Sequence, residues 1–176
     1  MKYFELISDR EIANPVQILK VDGKIYRNGL SRKEFDRIPP LSVGYFENLP
    51  ERELYDVLQE PAFLVSDRVK RLFSLYEPEM EFKGIQLFPG SEEDTTMPLF
   101  WFPGLIPLDC LSSRAWKHDN GMVKELILDE KKEYRHHIFR VEGILEHRVL
   151  VSLPLAESML RRRVSGISFL PVRFLG

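Results

Sequence analysis

Two stretches of the chain share one pattern of apolar and polar positions. One runs from FLVS at 63–66 to GIQLFP at 84–89, and the other runs from VLVS at 149–152 to GISFLP at 166–171. In both interiors apolar residues recur at helical spacing: Val69, Leu72, Phe73 and Tyr76 in one, and Ala156, Met159 and Leu160 in the other. This spacing is typical of an amphipathic helix. The pattern therefore predicts two strand-helix-strand repeat units, at about 63–89 and 149–171.

Each predicted unit has a serine and a glycine at matching places. Ser66 and Ser152 stand directly before the helices. There a hydroxyl can accept a hydrogen bond from a free amide of the first turn, which stabilises a helix by ~1 kcal/mol. Gly84 and Gly166 begin the closing segments, where glycine permits the chain to reverse into a strand. We interpret these four residues as structural.

Residues 1–60 have an irregular pattern of short apolar runs and turn residues. A tight hairpin is expected at 16–26, because the Asp22-Gly23 pair accepts the positive φ values of a two-residue turn. Short helical segments are expected at 31–37 and at 50–59.

Further strands are predicted between the repeat units. The aromatic run at 97–102 favours a strand over a helix. Residues 123–128 and 134–141 flank a polar loop and predict an antiparallel hairpin. Many strands with few helices favour an α+β fold over a doubly wound parallel sheet. We therefore expect a mixed sheet built around the two repeat units, with the antiparallel hairpin between them.

Length and charge narrow the class of protein. A chain of 176 residues has the size of a single domain, 1–176, or of one domain made of two similar halves. Its 25 basic and 27 acidic residues give a net charge of −2, so neither nucleic acid nor a membrane is an expected partner. The first residues lack the apolar core of a signal peptide, and we expect a cytoplasmic protein. The usual nucleotide, hydrolase and metalloprotease motifs are missing, and we expect no cofactor.

Cys110 is the single cysteine and the first candidate for chemistry. His118 and Asp119 follow it closely, so a thiol nucleophile with a histidine base is conceivable. No family-specific motif surrounds the cysteine, and free cysteine is commonly a buried apolar residue. We therefore favour a structural role for Cys110.

Three histidines form the second candidate. His136 and His137 are adjacent in a predicted strand, and His147 follows across a short turn. Successive strand side chains point to opposite faces, so His136 and His137 cannot both bind one ion without a bulge. We expect no metal site.

An acidic loop forms the candidate partner-binding site. Glu92, Glu93 and Asp94 follow the first repeat unit, and Trp101 lies in the aromatic run after them. Carboxylates attract a basic partner, and tryptophan often dominates interface energy. A solvated turn followed by a core strand is the simpler interpretation, and both stay open.

The paired repeat units, together with PLDCLS at 107–112, LILDE at 126–130 and HIFRV at 137–141, resemble a bacterial family of polymorphic-toxin immunity proteins. It is immunity protein family eleven, founded on a Myxococcus immunity domain and formerly a domain of unknown function. The similarity spans about Tyr55 to Pro171, and the first fifty residues match least well. The resemblance implies a protein that protects a cell by binding a cognate toxin and that is not an enzyme. It implies no catalytic residue.

Two other functions remain as alternatives. One is a small hydrolase or transferase that uses Cys110 or the set of His136, His137 and His147. The other is a self-assembling scaffold module, because strand-helix-strand repeats can leave an open sheet edge that pairs with a second copy. The sequence leaves the oligomeric state open.

Overall fold

The computed structural model describes residues 1–12, 15–21, 27–47, 52–90, 97–115, 120, 122–132 and 134–175. Within these ranges it has three helices: Arg32–Asp36 (α1), Asp67–Tyr76 (α2) and Leu153–Arg161 (α3). The strands are Tyr3–Ser8 (β1), Gln17–Val21 (β2), Leu41–Glu47 (β3), Val57–Leu58 (β4), Leu64–Ser66 (β5), Phe82–Pro89 (β6), Leu99–Pro103 (β7), Pro107–Leu108 (β8), Ile127–Asp129 (β9), Ile138–Val141 (β10), Val149–Ser152 (β11), Ile167–Pro171 (β12) and Arg173–Leu175 (β13). The predicted α+β class with mixed sheets is confirmed. None of the helices in the described ranges is both long and apolar enough to cross a bilayer.

The chain divides into two compact units. The first unit comprises Met1–Ile7, Leu105–Arg162 and Ser168–Gly176, and the second comprises Ser8–Gly104 and Arg163–Ile167. Helix α3 belongs to the first unit, and α1 and α2 belong to the second. Each of the two helices predicted from the repeats therefore lies in its own unit.

The second unit is built on a six-stranded sheet with the order β2-β3-β6-β7-β5-β4. Strands β3 and β6 are parallel, and the other neighbours are antiparallel. Because β7 is antiparallel to both β5 and β6, the two strands on either side of α2 run in the same direction with β7 between them. The core on one face contains Phe46, Ile85, Leu87, Phe100 and Phe102.

Helix α2 packs on the opposite face of this sheet. Trp101 alternates along β7 with the core residues Phe100 and Phe102, so it points away from that core. The ammonium of Lys70 in α2 lies 4.1 Å from the centre of the Trp101 ring, and Trp101 Nε1 donates to Asp67 Oδ1 at 3.2 Å. The helix buries its apolar face, Val69, Leu72 and Phe73, as its spacing predicted.

The first unit has a five-stranded sheet with the order β12-β1-β11-β10-β8 and a parallel pair, β9 and β13. Its core includes Tyr3, Cys110, Leu128, Phe139 and Leu150. The strands before and after α3 lie on either side of β1. In both predicted units a further strand lies between the two strands of the unit: around α2 it is β7, the next strand along the chain, and here it is β1, from the other end of the chain.

The hairpin predicted between the repeat units is not formed. Strand β9 pairs with β13 in parallel, while β10 pairs with β11 and with β8. Residues 134–137 precede β10 and are not part of it. The apolar alternation indicated strands correctly, but it cannot say which partners bury them, because pairing depends on the packed sheet.

The other local predictions had mixed outcomes. Helix α1 confirms the helical segment at 31–37, and Ser31 and Glu34 form a reciprocal capping box at its start. Strand β7 confirms the strand at 97–102. In the segment predicted as a helix at 50–59, residues 57–58 instead form β4, paired with β5, because contacts with distant segments outweigh a weak helical pattern. Strand β2 covers part of the predicted hairpin at 16–26, whose Asp22-Gly23 turn lies outside the described residues.

The serines of the two repeat units differ in their contacts. Both occupy the N-cap position of their helix. Ser152 Oγ accepts a hydrogen bond from Leu155 N at 3.5 Å, whereas Ser66 makes no capping bond and donates instead to Asp56 Oδ1 at 2.8 Å. The Ser66 hydroxyl is directed to the Asp56 carboxylate, to which it donates a charge-assisted hydrogen bond, and in this orientation it accepts none from the first turn of α2.

The glycines of the repeat units also differ. Gly166 has a φ of +94°, as a turn residue requires. Gly84 lies inside β6 and does not have a positive φ, so the expected turn is not there. A side-chain carbon at position 84 would lie 3.0 Å from Leu41 Cδ1 and 3.3 Å from Trp101 Cζ3. The glycine at position 84 is explained by close packing on the sheet face and not by a turn of the chain.

Candidate functional site

A cavity of about 650 Å³ lies in the second unit. Its volume falls within the ordinary range of ligand-binding cavities. Most of its wall is apolar, formed by Ile12, Pro15, Val16, Ile18, Tyr55, Val57, Leu58 and Pro61. Ser8, Asp9, Gln17, Gln59 and Glu60 supply polar groups, and Gly166 completes the wall. We call this feature the Gln59 cavity.

Asn28 holds the loop that carries Gln59. Its Nδ2 donates to Gln59 O at 2.7 Å, and its Oδ1 accepts from Phe63 N at 2.6 Å. The backbone amide of Asn28 donates to Pro61 O at 3.2 Å. One residue thus binds both ends and the middle of 59–63, so the loop is held by specific bonds although it has no regular structure.

Arg52 and Glu53 hold the part of the wall that is formed by Pro15 and Val16. Val16 N donates to Glu53 O at 3.2 Å, and Arg52 Nη1 donates to Pro15 O at 2.7 Å. The same guanidinium lies 3.4 Å from Glu47 Oε2. These bonds hold residues 15–16 directly before β2, and Val16 and Ile18 line the cavity.

Asp56 joins the part of the wall that contains Tyr55 and Val57 to the segment before β12. Its carboxylate accepts hydrogen bonds from Ser66 Oγ, Arg68, and both the amide and hydroxyl of Ser165, at 2.5 to 3.0 Å. Burial by itself would raise the pKa of Asp56, but Arg68, Ser165 and Ser66 together hold that pKa below its usual value. We call this set of residues the Asp56 network.

Gly166 directly follows Ser165, a member of the Asp56 network. Asp56 N donates to Ser165 Oγ at 3.0 Å, and Val57 N donates to Ser165 O at 3.2 Å. A side-chain carbon at position 166 would lie 2.4 Å from Val57 O and 2.9 Å from Tyr55 Cβ. The backbone approaches this closely only because position 166 is glycine.

Gln59, one of the residues that line the cavity, carries an unusual polar group. Its side-chain Nε2 is buried and has no hydrogen-bond partner. An unpaired buried donor destabilises a protein by about 1–3 kcal/mol. An unpaired buried polar group in a native fold requires an explanation. One explanation is that a bound ligand supplies the missing acceptor.

The charged groups of the cavity are acidic. Asp9 and Glu60 line it, and among its described lining residues there is no lysine or arginine. Glu60 is exposed, and Asp9 Oδ1 accepts from Glu11 N at 3.1 Å. The cavity therefore favours an uncharged or positively charged occupant.

A second surface of the same unit is apolar and exposed. Leu41, Val43 and Tyr45 of β3 are 59%, 40% and 50% exposed, and they point to the face opposite the core. The Tyr45 ring lies 6.3 Å from the ring of Phe88 on β6. We call Leu41, Val43 and Tyr45 the β3 surface. It has apolar area but, unlike the cavity, no unpaired polar atom that would define an occupant.

Cys110 lies in the core of the first unit and is fully buried. Burial raises the pKa of its thiol to about 12, although Lys132 nearby acts in the opposite direction. A nucleophilic cysteine needs a lowered pKa and access to substrate. His118 and Asp119, the suggested partners, lie outside the described residues.

The three histidines have separate surroundings. His137 Nδ1 lies 2.7 Å from Ser152 Oγ, and the backbone oxygen of His136 accepts from the Tyr3 hydroxyl at 2.7 Å. Burial and, to a lesser extent, the nearby charge of Arg140 together lower the pKa of His147 to about 4. In the described part of the chain, no group of three or more His, Cys, Asp or Glu side chains is arranged to hold a metal ion.

Of the four residues in the predicted partner-binding site, the structure describes Trp101. Glu92, Glu93 and Asp94 lie outside the described residues. Trp101 is half-buried, with its N–H bound to Asp67 and its ring beside Lys70. Trp101 thus contributes to packing in its own unit, and the proposed partner contact of this set stays a prediction.

Sequence reasoning missed the Gln59 cavity and the Asp56 network. Both join residues that are distant in the chain: Asp56 and Ser165 are 109 positions apart. No spacing rule connects them. Gly166 was predicted to be a turn residue, but a turn residue does not indicate which segment it contacts.

A scan of protein families gives a match that covers almost the whole chain. The family model described as the immunity protein family (Imm11) matches residues 7–173. The chain belongs to this immunity protein family. The match confirms the suspected resemblance and extends it to residue 7, well before the 55–171 range on which the resemblance was based. No curated protein matches the chain.

Membership in the Imm11 family implies a toxin-neutralising role and, at that coarse level, a toxin as the protein partner. The Gln59 cavity lies within the matched range, as do the Asp56 network and the β3 surface. The family match extends across both compact units.

Proposed function

We propose that this protein neutralises a cognate toxin by binding it in the cytoplasm, without catalysing a reaction. The family match over residues 7–173 is the observation that carries the proposal. Binding would block the active surface of the toxin by steric occlusion, and charge complementarity would speed the encounter. An occluding partner needs a shaped, pre-organised surface and no reacting group.

The surroundings of the candidate reacting groups support a non-enzymatic role. The Cys110 thiol is buried, and its pKa is raised to about 12, far from that of an activated nucleophile. His147 has a pKa lowered to about 4, so it would remain uncharged at neutral pH. These features count against the hydrolase or transferase alternative, since a general base works best with a pKa near the working pH.

Co-expression with the toxin encoded by the neighbouring gene tests this proposal. We expect the two proteins to co-purify and the toxin to lose its effect on cell growth. A toxin from an unrelated gene pair, expressed in the same way, is the control and should remain toxic. If the cognate toxin is neither bound nor neutralised, the proposal is wrong.

The site of action is tested in the same cells. We expect the protein to protect when it is retained in the cytoplasm, and to fail when a secretion signal sends it out while the toxin stays inside. Equal protection by the secreted form would contradict action in the cytoplasm. Fractionation of the cells with an antibody against an added tag shows where each form is located.

A further inference from the structure

We propose that the Gln59 cavity receives an apolar, positively charged loop of the cognate toxin, with a backbone carbonyl of that loop accepting a hydrogen bond from Gln59 Nε2. This inference rests on the proposed function and names the part of the surface that performs it. Its starting point is the buried amide nitrogen of Gln59, which has no partner. The terminal torsion of a glutamine side chain is soft, so the amide can turn toward an acceptor in the cavity.

Volume and lining favour a polypeptide segment as the occupant. A cavity of about 650 Å³ exceeds the volume of any single side chain and suits several residues. Its wall is mostly apolar, and an apolar segment would bury that wall from water. The backbone of such a segment also has a carbonyl oxygen at every residue. A carbonyl oxygen is the kind of acceptor that Gln59 Nε2 lacks.

Charge selects among such segments. Asp9 and Glu60 are the charged residues that line the cavity, and no lysine or arginine is among its described lining residues. Arg52 lies nearby, but its guanidinium binds Pro15 O and Glu47. A lysine or arginine of the toxin loop would therefore find two carboxylates, whereas an acidic loop would be repelled.

The cavity is also pre-organised for a partner. Asn28 holds the loop of Gln59, and the Asp56 network holds the segment before β12. Walls that are already bonded in the free protein lose little conformational entropy on binding. An occupant would thus gain apolar contact and a hydrogen bond without the cost of ordering the site.

The central test replaces Gln59 by leucine and measures the affinity for the neighbouring gene's toxin, produced as a catalytically inactive variant. We expect Gln59→Leu to weaken binding about fivefold to tenfold, as loss of one buried hydrogen bond predicts. Free Gln59→Leu protein should unfold at the same or a higher temperature than wild type, because the unpaired donor is gone. A merely structural glutamine would lower that temperature.

Gln86→Leu is the matched control for this change. Gln86 belongs to the same unit, is half-buried, and already donates from Nε2 to Met97 O at 2.7 Å. We expect Gln86→Leu to bind the toxin as wild type does. If Gln86→Leu weakens binding and Gln59→Leu does not, the sheet face that carries Gln86 is the docking site and the cavity proposal is wrong.

A charge reversal provides an independent variant. Glu60 is exposed, so Glu60→Lys should fold, and we expect it to weaken toxin binding about fivefold at low salt and less at high salt. Glu79→Lys makes the same change of net charge at an exposed position away from the cavity lining, and it should bind normally. Equal weakening by both reversals would overturn the proposal in favour of a general charge effect.

A small molecule is the competing occupant, and native mass spectrometry distinguishes it. Purified protein that carries a bound small molecule, lost in Gln59→Leu while toxin affinity is unchanged, would overturn the toxin-loop proposal. Failure of the wild-type protein to bind the toxin would instead overturn the proposed function. If wild-type protein binds the toxin and neither Gln59→Leu nor Glu60→Lys changes the affinity, the cavity inference is wrong and the proposed function stands.

Discussion

Asp56 shows how one buried carboxylate organises part of the second unit. Its side chain is 14% exposed and accepts five hydrogen bonds, from Ser66, Arg68 and Ser165. Arg68 Nη2 continues to the backbone oxygen of Arg163 at 2.9 Å. Bonds to a charged acceptor are stronger than neutral ones, so this residue contributes more than a typical polar contact.

Asp56→Asn should therefore destabilise the protein by about 2–3 kcal/mol, since it weakens the bonds to a charged group. The wild type should also lose stability in acid. The pKa of Asp56 is lower in the folded protein than in the unfolded chain, where it is about 3.9. The stabilisation by Asp56 is therefore complete above the unfolded pKa and is lost as the pH falls through the folded pKa. Urea unfolding at several pH values measures both effects.

Asp36→Asn is the control for this measurement, because Asp36 pairs with Arg32 on an exposed part of α1. We expect little change in stability there, as exposed ion pairs contribute about 0–1 kcal/mol. The Asp56→Asn variant should lose less stability than wild type between pH 5 and pH 2. The same acid dependence in Asp56→Asn and wild type would show that Asp56 is not the group responsible.

Cys110 supports a second prediction for a single residue. Because it is fully buried and its pKa is raised to about 12, the native protein should not react with a thiol reagent at pH 8. One thiol per chain should react after unfolding in guanidinium chloride. The absorbance of the released reagent measures this, and rapid labelling of native protein would contradict the buried position.

Cys110→Ala addresses the function of the same residue. We expect this variant to protect cells against the toxin as well as wild type does, provided that it remains folded. Loss of protection by a folded Cys110→Ala protein would revive the thiol-enzyme alternative.

At the scale of elements, the two predicted repeat units use different contacts to begin and end their helices. Helix α3 begins with a side-chain cap from Ser152, whereas the serine before α2 belongs to the Asp56 network. After α3 the chain turns at Gly166 with a positive φ, while after α2 it enters β6 before reaching Gly84. Similar sequence patterns therefore produce comparable elements with unlike local bonding.

Gly166→Ala should be among the most destabilising glycine substitutions in the second unit. A methyl group there would lie 2.4 Å from Val57 O, in addition to the strain of a positive φ, and we expect a loss of more than about 3 kcal/mol. Gly29→Ala is the control, since Gly29 has a φ of +82° but nothing within 4 Å of the added carbon. It should cost only about 1 kcal/mol. Equal losses in denaturant unfolding would contradict the close approach at 166.

At the scale of the whole molecule, the family assignment gives a toxin-neutralising role, and the mode that we propose for it is inhibition by occupancy. A protein that acts in this way is consumed as it binds. An enzyme that modifies the toxin is released and acts repeatedly. The two modes differ in the ratio of protein to toxin that is needed for protection.

We therefore expect protection to be stoichiometric. With toxin above the dissociation constant, toxin activity in vitro should fall in proportion to added protein and reach its minimum near one protein per toxin. Unrelated protein of similar size is the control. Complete inactivation at a small fraction of that ratio, increasing with time, would instead indicate catalysis.

Several elements were predictable because their signals are local. The periodicity of α2 and α3 and the capping box of α1 lie within a few consecutive residues. Strand β7 and strand β11 were also evident from short apolar runs. The predicted helix at 50–59 failed where its signal was weak and where Val57 bonds instead to Ser165, far away in the chain.

The candidate site could not be predicted in this way. The Gln59 cavity combines residues 8–9, 12 and 15–18 with residues 55, 57–61 and 166, and the turn residues among them do not reveal their neighbours. The unpaired Gln59 amide is unusual only because burial removes it from water. Burial of a particular atom is a property of packing and leaves no mark in the order of residues.

The sequence by itself determined the mixed α+β class, the positions of α2 and α3, and membership in the immunity family. These follow from side-chain periodicity and from short motifs, which act between near neighbours in the chain. Only the tertiary structure decided the strand partners, the Asp56 network and the Gln59 cavity. Those depend on which distant segments approach one another, and that choice is made by the burial of apolar surface and the satisfaction of polar groups over the whole fold.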